Sequence, residues 1–474
     1  MIALTIDEIA RAVGGEVHPA DAGSLVVDGA VETDSREISP GGVFVARIGE
    51  AMDGHDFAAS ALERGAALLI VERVLDHDVP QVVVADATDA LAALAKTVVA
   101  RVREAGRLRV VGITGSNGKT TTKNLLREIL GRVGVTVASH ASFNNEVGGP
   151  MTMLRVTHDT EFLVAEMGAS GPGAIARLVA LAPPDIGVVL KVGLAHAGGF
   201  GSIEGTALAK SEMVTGLGEG DVAVLNRDDP RVAAMAERTR ARVAWFGLSA
   251  DPSTGGTAAD DVEATAAGTT FELLLPGGER REVAFRVLGE HHVSNAMAAA
   301  AVATALGVDP DTIVAGLEAV VRAERWRMEV LATDPVVVVN DAYNASPDSM
   351  SAALKALIQI APGRSVAVLG AMTELGESAG EEHDRVGLLV VRLNIGQLVV
   401  VGQQAKRIHL AATAQGSWDG ESLYVETQEE AEALLEEVIE PGDTVLVKSS
   451  NSAGLRHLGD RIGARWAGGT GPVA

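Results

Sequence analysis

A chain of 474 residues has room for about three domains at roughly 150 residues each, and its 47% hydrophobic content can supply a core to all of them. Aromatic residues make up only 3%, so those cores must be built mainly from Val, Leu, Ile and Ala. A net charge of -24 excludes a protein that coats nucleic acid, which needs a basic face, and the absence of cysteine excludes disulfides, thiolate nucleophiles and cysteine-bound zinc.

The N-terminal stretch lacks a basic segment followed by an apolar one, so no signal peptide is expected. Every apolar run breaks off short of the roughly 20 residues of a membrane helix. A cytoplasmic protein without a membrane span is the expectation, and without coiled-coil heptads a monomer.

In chain order, Thr5 followed by Glu8 reads as a capping box opening a short helix. Strands are predicted at 43–46, 67–71 and 82–84, with helices at 57–64 and 88–103, an alternation that gives an α/β unit over residues 1–105. A second unit, 106–321, carries aliphatic strands at 110–114, 162–166, 186–190, 222–225 and 243–245, the pattern of a parallel sheet covered on both faces. Residues 249–268, rich in Ala, Asp, Gly, Ser and Thr, read as a flexible connection, 269–275 and 282–287 as a hairpin, and 292–306 as an Ala-rich helix. The third unit, 322–474, alternates strands at 336–340, 365–369, 397–401 and 444–447 with helices at 349–360, 380–393 and 427–438.

The chemistry concentrates in Val110-Val-Gly-Ile-Thr-Gly-Ser-Asn-Gly-Lys-Thr-Thr-Thr122, a glycine turn between a buried strand and a helix. Gly115 and Gly118 remove the side chains that would hold a polyphosphate off the backbone, and Ser116, Asn117 and Thr121 complete the cradle. Backbone N–H groups and the helix dipole can then face phosphate oxygens. Lys119 supplies a mobile cation, and the Thr120 hydroxyl is placed to ligate Mg²⁺. Position 113 is Ile where a strict P-loop has Gly. An ATP site is the reading, against a plain glycine turn with a surface lysine.

Glu166 ends a predicted buried strand, where an open α/β sheet places its ligands, and fits either a Mg²⁺ ligand or a helix cap. His196 lies among glycines just past another strand, and a lone histidine is more often structural. Lys210, on a helix capped by Ser202, would by itself be a solvated lysine.

Together these motifs resemble the Mur ligases of bacterial cell-wall synthesis over essentially the whole chain. The ATP loop is Thr114-Gly-Ser-Asn-Gly-Lys-Thr-Thr; Phe143-Asn-Asn-Glu-Val-Gly-Gly-Pro150 is similar to a segment facing the peptide substrate. Thr33-Asp-Ser-Arg36 and Asp53-Gly-His-Asp-Phe57 resemble the uridine-nucleotide domain. Asp341-Ala-Tyr-Asn-Ala-Ser-Pro-Asp-Ser-Met350 resembles a C-terminal signature of the branch that adds D-alanyl-D-alanine to UDP-N-acetylmuramoyl-tripeptide.

The resemblance implies an α/β protein of three domains: an N-terminal α/β uridine-nucleotide domain, a central P-loop domain with a parallel sheet, and a Rossmann-like C-terminal domain. It implies ATP and two Mg²⁺ ions, with Thr120 and Glu166 as metal ligands and His196 and Lys210 serving the second ion, Lys210 as its CO₂ adduct, a carbamate. Lys119, Lys210, His196 and Arg327 become the catalytic set. Asn295 is expected at adenine, Arg327 at the γ-phosphate and Asp341 near the ribose. Ser35, Arg36, Asn144, Asn145 and Asn344 are implied to face the organic substrates.

The chain departs from the family pattern at Lys191 and His292, each usually Asn, at Trp326, usually Gly, and at Ala371, usually Asp. The Asp-Asn-Pro-Arg motif of the branch that adds the third, diamino-acid residue is absent. Folylpolyglutamate synthases share the ATP loop but lack the leading Asp-Ser-Arg domain. A P-loop NTPase switch and a non-catalytic nucleotide-binding regulator are the readings from other functional classes.

Overall fold

The computed structural model describes residues 1–49, 52–139, 143–169, 171–193, 200–320, 324–415 and 421–467. The chain is an α/β protein built on three sheets that follow one another in sequence, with two small antiparallel sheets beside them.

The first sheet runs Glu16–His18, Gln81–Val83, Leu68–Val71, Val43–Val45 and Val31–Glu32, parallel except for its first pair. The capping box at Thr5 is present, with Glu8 reaching back to the Thr5 N–H at 2.8 Å. Helix Ala87–Glu104 starts where the Asp86 carboxylate accepts the Thr88 and Asp89 N–H groups. Its apolar face (Leu91, Leu94, Val98, Val102) joins the core of the first sheet to that of the central one, so a single apolar core runs through residues 102–110.

The central sheet has six strands, all parallel, in the order Arg242–Phe246, Val222–Asn226, Ile186–Val189, Arg109–Thr114, Phe162–Glu166, Thr136–Ala138. The chain leaves Arg109–Thr114 toward one edge and later returns to its other side. That strand is therefore the switch point, beyond whose carboxyl end a crevice opens. One face of the sheet is covered by helices Lys119–Leu130 and Glu290–Ala305. The second of these buries Ala296, Ala298, Ala299, Ala300, Ala301 and Ala303: alanine costs least in a helix and lets the backbone approach the sheet closely.

Residues 258–265, expected to be part of a flexible connection, form a strand. Ala258–Thr265 pairs antiparallel with Gly268–Leu274, which pairs with Arg280–Phe285. Small and acidic residues hid this strand: Ala258 and Ala259 are both buried, and past an irregularity between Asp260 and Glu263 the half-buried Val262 and Ala264 alternate with the exposed Glu263 and Thr265. The predicted hairpin is thus two thirds of a three-stranded sheet. Buried Phe271 and Phe285 meet edge-on at its centre.

The C-terminal sheet is ordered Glu329–Ala332, Val337–Asn340, Thr444–Lys448, Ser365–Leu369, Gln397–Val401, Ser422–Val425, parallel except for its first strand. The four inner strands match the sequence reading. Both edge strands escaped it, because an edge strand is short and half-exposed and lacks the all-aliphatic signature. Among the described residues no helix is long and apolar enough to cross a membrane.

Candidate active site

The glycine turn lies where the sheet order reverses. Gly118 has φ +89°, and a Cβ there would stand 2.2 Å from the Asn295 Oδ1, so both backbone conformation and the close approach of Asn295 demand glycine. Helix Lys119–Leu130 then begins with no side-chain cap, leaving its first N–H groups for an anion. The turn is braced from behind: Ser116 N–H donates to the Lys191 carbonyl at 2.8 Å, and the Ser116 hydroxyl accepts the Gly193 N–H at 2.8 Å. Gly118→Ala is expected to weaken nucleotide binding by more than about tenfold and to cost roughly 1–3 kcal/mol of stability. Nucleotide titration calorimetry beside thermal melting checks both.

Lys119 folds back to donate from Nζ to the Gly115 carbonyl at 2.7 Å. Burial holds its pKa below the usual lysine value; Glu166 opposes that shift and the nearby Arg327 cation adds to it. Glu166 closes its strand with 1% exposure. Its Oε2 accepts from Asn144 Nδ2 at 3.4 Å, while Oε1 has no hydrogen-bond donor among the described residues, with Lys123 Nζ 3.5 Å away. The Thr120 hydroxyl, also buried, accepts from Arg327 Nη2 at 3.5 Å.

Lys210, on helix Ile203–Thr215, is buried rather than solvated. Burial, with the Lys119 charge adding to it, pushes its pKa down to about 7.

A cavity of about 570 Å³ opens over the turn, walled on one side by the central part of the chain and on the other by the C-terminal part. Ser116 to Thr121, Asn144 and Asn295 line the first wall; Arg327, Asp341, Tyr343, Asn344 and Lys448 line the second. Across the seam Lys191 pairs with Asp348 at 3.4 Å, Gln359 Nε2 donates to Glu290 Oε1 at 2.7 Å, and the Ser346 hydroxyl donates to Asn117 Oδ1 at 3.5 Å.

Comparison with known proteins bears on this arrangement directly. Residues 29–106 match the Mur ligase family catalytic domain, 113–303 the Mur ligase middle domain, and 326–451 the Mur ligase glutamate ligase domain. The UDP-N-acetylmuramoyl-tripeptide–D-alanyl-D-alanine ligase of Mycobacterium tuberculosis is 44% identical over 508 aligned positions, spanning 98% of each chain. The chain belongs to the Mur ligase family. The Escherichia coli ligase of the same description is 35% identical over 97% of this chain and 98% of its own. Among solved structures, MurF from Acinetobacter baumannii superposes with a TM-score of 0.87 at 32% identity, over 97% of this chain and 99% of its own. The MurF ligase from Thermotoga maritima, in complex with ADP, gives 0.78 at 30% identity, over 91% and 96%.

Within this Mur ligase, the structure brings Ser116, Asn117, Gly118, Lys119, Thr120, Thr121, Asn144, Asn295, Arg327, Asp341 and Asn344 to one cavity. Gly115 adjoins it through its bond with Lys119. Asn145 does not line the cavity. Its side chain accepts the Val147 and Gly148 N–H groups at 3.3 and 2.9 Å and so braces the turn leading into helix Gly148–Met153. Ser35 and Arg36 also lie off the cavity, on the N-terminal unit, where Arg36 forks onto the Asp34 carboxylate. Asp341 is held by protein groups on both oxygens, Met328 N–H at 3.0 Å and Lys448 Nζ at 2.6 Å. His196 lies outside the described residues.

Sequence reasoning missed Lys448 and Tyr343, although both had signals. Lys448 is a charged residue ending an aliphatic strand, and Tyr343 sits inside the quoted C-terminal signature, its ring 4.2 Å under the Arg327 guanidinium. His292, the departure from Asn, lines the cavity with 4% exposure. Its Nδ1 faces Asn295 Nδ2 at 3.3 Å; if that amide donates, the ring proton sits on Nε2, which has no partner among the described residues.

Proposed function

We propose that this chain uses ATP to join D-alanyl-D-alanine to UDP-N-acetylmuramoyl-tripeptide, making an amide bond in peptidoglycan precursor synthesis. The observation that carries the reading is the shared cavity: a phosphate-binding turn on one wall faces Arg327 and the 341–350 segment on the other. The domains are 1–105 for the uridine-nucleotide substrate, 106–321 for ATP and 322–474 for closure over it. The chain acts in the cytoplasm as a monomer.

A carboxylate is a poor electrophile, so the γ-phosphoryl group first passes to the terminal carboxylate of the UDP-linked peptide. Backbone N–H groups of the turn and Lys119 hold the outer phosphates, and Arg327 faces the charge that spreads over the transferred oxygens. The dipeptide amine then attacks the acyl phosphate, forming the C–N bond and releasing phosphate. Asn295 is the residue assigned to the base and Asp341 to the ribose. Asn144, Asn145 and Asn344, with Ser35 and Arg36, are the residues assigned to the organic substrates. No protein nucleophile is needed.

The donor set fits magnesium. Glu166 offers a buried carboxylate, its Oε1 ion-paired with Lys123 Nζ at 3.5 Å, and Thr120 a buried hydroxyl, beside a phosphate loop. Mg²⁺ takes one or two protein oxygens and fills its octahedron from phosphates and water. This suits a site where no group of three or more His, Cys, Asp or Glu forms among the described residues. Thr120 and Glu166 would hold one ion, His196 and Lys210 the second, Lys210 as a carbamate; bound magnesium supplies charge neutralisation on the transferred phosphoryl group.

Given ATP, Mg²⁺ and UDP-N-acetylmuramoyl-tripeptide, the purified chain should release inorganic phosphate in step with added D-alanyl-D-alanine and not with a diamino acid. Turnover with a diamino acid and none with the dipeptide would move the chain to the third-residue branch. Full ATPase activity without any acceptor would favour an NTPase switch.

A further inference from the structure

Arg327 stands between two non-glycine residues in the left-handed backbone region, Trp326 at φ +60° and Met328 at φ +49°. Side chains are seldom found there unless their surroundings enforce it. Both neighbours are held by the C-terminal unit. Trp326 N–H donates to Glu329 Oε2 at 2.8 Å, and its carbonyl accepts from Tyr343 N–H at 3.1 Å. The indole Nε1–H donates to the Asp460 carboxylate, 3.0 Å from each oxygen, and Asp460 is fixed in turn by Asn340 Nδ2 at 3.0 Å. The guanidinium groups of Arg325 and Arg456 stand 4.9 and 5.1 Å from the indole centroid. On the other side Met328 N–H is held by Asp341.

Neither Trp326 nor Asp460 lines the cavity, yet the turn they pin presents Arg327 to it and to Thr120 on the opposite wall. We infer that Trp326 and Asp460 are positioning residues that lock this turn so that Arg327 meets the phosphoryl group. This rests on the role given to Arg327 above. A glycine here reaches the left-handed region at no steric cost but is free to leave it; the tryptophan pays strain and is then held by a charge-assisted hydrogen bond. Its occurrence at a position where glycine is usual therefore trades an easy turn for a fixed one.

The test compares Trp326→Phe, which keeps the ring but loses the N–H donor, with Asp460→Ala and Asp460→Asn, whose amide oxygen can still accept. Trp326→Phe and Asp460→Ala should each lower kcat about tenfold while the KM values of the three substrates stay within about twofold, because the lost alignment matters in the transition state. The two together should be no worse than either alone, Asp460→Asn should stay near the wild-type rate, and in an Arg327→Ala background neither should lower kcat further. Melting curves identify any variant that fails to fold; Trp326→Gly, which relieves the backbone strain but not the lost anchor, then takes its place. Normal kcat in Trp326→Phe and Asp460→Ala, or a further fall in the Arg327→Ala background, would overturn the anchor alone. Wild-type kcat in Arg327→Ala itself would overturn both the anchor and the role given to Arg327.

Discussion

Replacing Lys119 with Ala is expected to reduce phosphate release by about a thousandfold while leaving the fold intact. The ammonium group is half-buried, and desolvation holds its pKa below the ordinary lysine value, with another cation, Arg327, near enough to lower it further. Such a charge is costly until a polyphosphate arrives, and partly shielded from solvent it acts on developing phosphoryl charge more strongly than it would in bulk water. Its hydrogen bond in the present arrangement is to the Gly115 carbonyl, which must be given up when a phosphate binds. Removing the side chain therefore takes more from the transition state than from the resting protein. Single-turnover phosphate release, read beside a melting curve, checks this. An unchanged rate would remove the phosphate loop from the chemistry.

Lys210→Ala should cause a loss of similar size, on the order of a hundredfold to a thousandfold, with part of the activity restored by a short carboxylic acid that can occupy the vacated space. Only a neutral amine adds CO₂, and a pKa of about 7 leaves much of Lys210 neutral near neutrality, where an ordinary lysine would be almost wholly charged. At limiting CO₂ the wild-type rate should accordingly rise from pH 6 to pH 8. The same shift has a sign for stability. The unfolded chain binds a proton at Lys210 up to about pH 10.4, the folded chain only up to about 7. Between those values the unfolded state holds more protons, so stability gains from this residue as pH rises across that window. Below pH 7 the cost of burying the charge is fully present. Denaturant melts of Lys210→Ala should show a flatter pH profile over the window. A variant with full activity and an unchanged profile would end the carbamate assignment.

The inner strands and the phosphate turn were legible because a strand buried on both faces must be aliphatic, and a backbone that touches phosphate must shed its side chains. The signals failed where a residue's role depends on what folds against it. Asn145 reads like its neighbour Asn144, but Asn144 reaches Glu166 while Asn145 braces the turn before a helix. Lys210 looked like a surface lysine, since helical spacing cannot say which neighbours cover it. Ala258–Thr265 looked like a linker because its buried residues are alanines, which composition cannot tell from filler. Trp326 could be marked as unusual but not explained, because Asp460 is more than a hundred positions away in sequence.

The seam that divides the cavity has one further consequence. Among the described residues the polar contacts across it are few and partly wet: Lys191 and Asp348 are 48% and 33% exposed, in the range where an ion pair adds little. The apolar side chains that the central part contributes to the C-terminal core are Leu288, Ala264 and Ala266 among the described residues. Such a joint is expected to open when nothing lies within it. The adhesive force between the two halves must come mainly from what is caught between them, a triphosphate gripped from both sides, so the molecule should stiffen as it loads and relax once the spent nucleotide departs.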